Sequence, residues 1–124
     1  MLYNLDGDVR SYVQREEEFG AEIADLRSRT EEYHEIIDAI NEYIDGKDWF
    51  ISSFIPGSHW EGSAYEAIRR ACNGNQERSG KLFGIIVWRV VVEREDEWYF
   101  KPPDQDFDDV LGMTYFRRDR QQHS

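Results

Sequence analysis

FGAEIADLRSRTEEYHEIIDAINEYI, running from Phe19 to Ile44, places an apolar or near-apolar residue at alternating steps of four and three. The positions are Phe19, Ile23, Leu26, Thr30, Tyr33, Ile37, Ile40 and Ile44. Steps averaging 3.5 are the period of a helix seam that supercoils around another helix, whereas a strand needs period two. No Pro interrupts the run. The spacing predicts a long, coiled-coil-like helix with a partner helix, and Phe19, Ile23, Leu26, Tyr33, Ile37, Ile40 and Ile44 form the expected seam of a homo-oligomer. Ile36 and Tyr43 widen the apolar face beyond a strict two-helix seam, which leaves packing against the chain's own sheet as the alternative.

Outward from that seam the punctuation is clear on both sides. Asp6 or Asp8 caps a helix start, and Asp45-Gly46 suits a helix end. An unbroken helix between them would span about 57 Å at 1.5 Å per residue. A compact domain of this length has a diameter near 35 Å, so the helix projects or breaks, and Gly20 is the weakest point. Asp48 to Ile55 is a predicted strand stopped by Pro56-Gly57. Ser58-His59-Trp60-Glu61 fits a capping box, opening a short helix to about Cys72 with Ala64, Tyr65, Ile68 and Cys72 on one side. Asn75 to Gly80 is a polar loop. Leu82 to Val92 is apolar at even and odd positions alike except Arg89, the pattern of a central strand covered on both faces. Trp98-Tyr99-Phe100 follows as the return strand of a hairpin, and Met113 to Arg117 as a last strand. The expected fold is α+β: a long N-terminal helix, a short second helix and an antiparallel sheet of about four strands. Residues 1–124 form one domain, with a helical region at 1–46 and an α+β sheet region at 47–124.

The chain has 124 residues, 40% hydrophobic and 15% aromatic, enough for a real core. Its net charge is −11. Such a field disfavours direct binding of nucleic acid or an anionic membrane and favours basic protein surfaces. Residues 1–56 hold fourteen acids against five bases, while residues 57–124 hold twelve against ten. The acidic half is the helical half, and Glu31, Glu32, Glu35 and Asp38 are its expected partner-binding face. A basic cluster, Arg117, Arg118 and Arg120, closes the chain. The single Cys72 cannot form an intrachain disulfide, which fits a reducing compartment. Without a charged-then-apolar leader or an apolar stretch long enough to span a bilayer, the expected location is the cytoplasm.

Several constellations resemble catalytic or metal sites and fall short. Glu31-x-x-His34 has the spacing of carboxylate-bundle metal ligands but lacks the two further Glu. Asp104-Gln105-Asp106-Phe107-Asp108 and Asn4, Asp6, Asp8 open like calcium loops, then miss the Gly and the closing Glu. His59-Trp60-Glu61 matches H-x-E without a P-C-x-x-C, and one Cys with three His supplies no structural zinc set. Cys72 reads as a small buried hydrophobe rather than a nucleophile. Phosphate-loop, dinucleotide and nucleophile-elbow motifs are missing from the sequence. No cofactor or metal is expected.

Two features remain. Arg89, in an otherwise buried run, needs a carboxylate partner or an anionic ligand. Trp60, Tyr65, Trp88 and Trp98 offer either core packing or an aromatic pocket beside it. The functional expectation is a small acidic, non-enzymatic interaction protein that binds, and by binding antagonises, a basic macromolecule. The alternative is a small-molecule-binding α+β domain, sequestering protein or enzyme, with Arg89 meeting an anionic group.

Overall fold

The computed structural model describes residues 1–10, 16–52, 60, 62–101 and 113–117. In chain order these form β1 (Leu2–Tyr3), β2 (Val9–Arg10), a 3-10 turn (Glu16–Phe19), α1 (Gly20–Ser28), α2 (Thr30–Ile44), β3 (Trp49–Ile51), α3 (Glu66–Ala71), α4 (Gln76–Glu93), β4 (Trp98–Lys101) and β5 (Thr114–Phe116). The mixture of helix and sheet agrees with the α+β expectation. Its parts differ from it in four places.

The first is the N-terminus. Residues 2–10 form no helix but a β-hairpin, with Leu2 opposite Arg10 and Tyr3 opposite Val9. Asn4 makes the turn: its side-chain oxygen accepts from the Asp6 and Asp8 backbone N–H groups at 3.0 and 2.8 Å. The Asn4, Asp6, Asp8 spacing is thus the signature of an Asx turn, which copies a backbone turn with a side chain.

The second is the long helix. A 3-10 turn gives way to α-helix at Gly20, and the helix breaks again at Arg29, whose backbone (φ −99°, ψ 70°) leaves the helical region. Ser28 Oγ, bonded back to the Asp25 carbonyl at 2.6 Å, competes with the helix ladder at that point. The break resets the phase of the apolar face. Phe19, Ile23 and Leu26 are buried before it, and Ile36, Ile40 and Ile44 after it. Tyr33 and Ile37 are half-buried against the same core. The continuous coiled-coil helix is therefore not formed, and five of the seven expected seam residues lie inside this chain's own core. As expected, α2 ends at Ile44, with Gly46 in the left-handed region (φ 81°).

The third correction is the largest. Leu82 to Val92 is no strand: it lies within α4, the central helix, whose eighteen residues include ten that are buried. Asn75 caps it, its side-chain oxygen accepting from the Arg78 N–H at 2.9 Å. What was expected to be a polar loop, Asn75 to Gly80, is the first turn of that helix. An apolar run on all sides suits a helix surrounded by protein as well as a strand covered on both faces. The hairpin between this segment and Trp98 accordingly does not exist.

The fourth is the sheet. It has five strands in the order β2-β1-β4-β5-β3, and β1 runs parallel to β4, so it is mixed rather than antiparallel. Of the predicted strand from Asp48 to Ile55, residues 48–52 are described and Trp49–Ile51 form β3; Ser58, His59, Glu61, residues 104–108, Arg118 and Arg120 lie outside the described residues. The short helix is α3, followed by Asn73 and Gly74 with positive φ (55° and 79°).

Helices pack on one face of the sheet. Trp88 of α4 meets Phe100 of β4 and Tyr115 of β5, with ring centroids 4.7 and 6.4 Å apart. Tyr43 of α2 meets Phe50 of β3 edge-on at 6.1 Å. Leu2, Phe50, Trp98 and Tyr115 point to this face and are buried. None of the described helices is long and apolar enough to cross a membrane.

Candidate functional site: the acidic face of the second helix

In α2 the alternation of apolar and acidic residues sorts them to opposite sides. Ile36, Ile40 and Ile44 face the core with no exposure. Glu31, Glu35, Asp38 and Glu42, at steps of four, three and four, share the opposite, exposed side. His34 is exposed beside them.

Three acids near this stripe or across from it are matched by arginines of other elements. Glu32 accepts from Arg70 Nη2 at 2.6 Å, tying α2 to α3. Glu22 of α1 is bound by Arg78 Nε of α4, and the guanidinium holds the Glu22 carboxyl below the usual carboxylate range. Asp45 meets Arg94 Nη2 at 2.8 Å. Among the described residues, Glu31, Glu35, Asp38 and Glu42 have no such cation. Of the four residues expected to bind a partner, Glu31, Glu35 and Asp38 are thus brought together on one face, while Glu32 is engaged within the chain. Glu42 extends the stripe and was legible in the sequence at the same spacing.

Arg89 lies on a helix, not mid-strand. Its Nε donates to Glu16 Oε2 at 3.1 Å, Nη2 reaches the same oxygen, and Nη1 donates to Glu93 at 3.2 Å. The carboxylate partner the sequence required is internal. The space beside it, lined by Glu16, Ile23, Tyr33 and Ile85 among others, measures about 10 Å³, room for about one water.

The four aromatic residues of the alternative reading do not converge. Trp60 and Tyr65 pack with Phe83 of α4, centroids 5.7 and 5.2 Å from it. Trp88 and Trp98 lie in the helix–sheet core, Trp98 against Phe50 at 5.4 Å. An open hollow of about 270 Å³ lies elsewhere, bordered by Glu66, Arg69, Arg70 and Gly74.

Burial pushes the Cys72 thiol up, which disfavours the nucleophilic thiolate. Among the described residues no group of three or more His, Cys, Asp or Glu is placed to hold a metal ion.

Comparison with known protein families, with curated proteins and with solved structures gives no match for this chain.

Proposed function

We propose that this chain is a non-enzymatic interaction protein whose α2 face binds a basic protein surface and, by occupying it, antagonises it. One contrast carries the proposal. Glu22, Glu32 and Asp45 each meet an arginine, while Glu31, Glu35, Asp38 and Glu42, in one row on a single helix, stand in solvent without one among the described residues. Like charges at i,i+4 cost a helix a few tenths of a kcal/mol per pair. A row of four concentrates a negative potential along some three turns, which steers a cationic partner and fixes its register. A reducing, cytoplasmic setting belongs to the same proposal, supported by the single buried Cys72.

Affinity capture from the native host, with wild-type and Glu31→Gln/Glu35→Gln/Asp38→Asn baits compared, tests this. Wild type should retain a basic protein that elutes steeply as salt rises through the Debye-screening range. The triple variant should lose it. Equal capture by both baits would remove the face from the binding site.

A further inference from the structure

Arg69 of α3 is unlike the arginines around it. Arg70 meets Glu32, Arg78 meets Glu22, Arg89 meets Glu16 and Glu93, and Arg94 meets Asp45 and Asp96. Arg69 is half-buried and has no carboxylate partner among the described residues. Its Nε is shut off from solvent and has no hydrogen-bond partner. Leaving a buried donor unpaired is costly, more so on a charged group, so such an atom in a folded protein marks a place for a water or an ion. The same residue borders the open hollow of about 270 Å³, together with Glu66, Arg70 and Gly74. That border is uncrowded: a Cβ built on Gly74 would meet nothing within 4 Å.

We propose that this hollow binds a small organic carboxylate, held by the guanidinium of Arg69. Three features set the ligand class. First, a guanidinium offers two parallel N–H groups along one edge, Nε among them, and a carboxylate accepts both. A water would satisfy Nε and leave the positive charge unmatched. Second, the charges select a monoanion. Arg70 is committed to Glu32 at 2.6 Å, Glu66 stands on the border, and the chain carries a net charge of −11. One uncommitted cation in that field matches one negative charge, whereas a phosphate dianion brings a second that is repelled. Third, at about 30 Å³ of liquid per water, the hollow has room for about nine waters. That admits a carboxylate on a short chain and is too small for a nucleotide.

The hollow is open, so a ligand there keeps part of its surface wet and gains few contacts. Its affinity is therefore millimolar. The site is separate from the acidic face of α2, because Glu31, Glu35, Asp38 and Glu42 do not border it. It provides the uncommitted arginine that Arg89, paired within the chain, does not.

Nuclear magnetic resonance of the arginine Nε–H groups in the full chain tests the proposal, with sodium acetate titrated against sodium chloride at fixed ionic strength. The Arg78, Arg89 and Arg94 Nε groups already donate to carboxylates and serve as internal references. The Arg69 signal should move saturably toward theirs at millimolar acetate, while they stay in place. Inorganic phosphate should bind several-fold more weakly than acetate. Glu66→Gln should tighten acetate binding several-fold by removing a repelling charge. Arg69→Lys assigns the signal by its loss; if that variant fails to fold, assignment through the Arg69 backbone resonances replaces it. An Arg69 signal that responds alike to acetate and chloride would overturn the proposal, leaving Nε to water. So would tighter binding of phosphate than of acetate, or acetate binding that Glu66→Gln leaves unchanged or weakens.

Discussion

The guanidinium of Arg94 holds the carboxylate of Asp96 with two hydrogen bonds, Nε to Oδ1 at 2.9 Å and Nη2 to Oδ2 at 3.0 Å. The same group donates from Nη1 to Asn41 Oδ1 at 2.7 Å and from Nη2 to Asp45 at 2.8 Å. One side chain, 15% exposed, therefore fastens the end of α2 to the end of α4 and to the approach to β4. Arg94→Ala is expected to cost about 2–3 kcal/mol in urea unfolding, because it leaves several charged and polar groups without their donor. Arg94→Lys should recover little, since a point charge cannot reproduce the planar fork. A loss below half a kcal/mol would show that water replaces these bonds.

Glu22 sets a pH dependence. Its folded-state pKa is depressed by Arg78. Such a carboxyl adds stability that is fully present above its unfolded pKa, about 4.3, and that is lost as pH falls through the folded value. Wild type should therefore lose stability below about pH 4 more steeply than Arg78→Gln. The variant also forfeits the contact of Arg78 with the Glu18 carbonyl at 2.9 Å, but that loss does not vary with pH. Parallel curves for the two proteins would disprove the linkage.

Trp88 is 1% exposed where α4 meets the sheet. Trp88→Ala should cost about 3–5 kcal/mol, the transfer term plus a cavity that Phe100 and Tyr115 cannot fill. Thermal melts followed by far-ultraviolet circular dichroism will register it. A melt within a few degrees of wild type would place the residue outside the core.

Arg89 behaves differently. Its partners Glu16 and Glu93 have side chains 29% and 64% exposed, so both rehydrate when the cation leaves. Arg89→Met should change stability by less than about 1 kcal/mol in either direction. A larger loss would mean that Glu16 is trapped without water.

On α2, Glu35→Gln/Asp38→Asn removes the repulsions of Glu35 with Glu31 and of Asp38 with Glu42. Stability should rise by about 0.2–0.5 kcal/mol per pair at low ionic strength, and the gain should vanish in molar salt. A decrease in stability would indicate that these carboxylates have a partner within the chain.

Much of the candidate site was legible because helical spacing is a local property. The steps of four and three that put Glu31, Glu35, Asp38 and Glu42 on one side of α2 hold wherever the helix packs. The break at Arg29 was not legible. Residues 28–30, Ser-Arg-Thr, are only mildly unfavourable in a helix, and tertiary packing of Leu26 and Ile36 on a common core decides the phase. In Leu82 to Val92 the β-branched residues favour a strand, but an apolar run buried on every side fits a central helix equally well, so periodicity alone does not separate the two; the Asn75 cap is what marks the helix start. The alignment of Tyr3, Tyr99, Phe116 and Trp49 across β1, β4, β5 and β3 was not legible, because only the register between distant segments brings these residues into line.

The parallel pairing of β1 with β4 also orders events in time. Leu2 lies beside Trp98, and Tyr3 beside Tyr99, so an early strand takes an interior place in the sheet only after most of the chain has been made. The helices need only nearby residues to nucleate, whereas this pairing closes a long loop and carries its entropy. During synthesis, the Leu2–Arg10 hairpin emerges from the ribosome long before its neighbour and must wait with Leu2 uncovered. Completion of the sheet is thus a late, post-helical step, and it falls to the last part of the chain to close the fold.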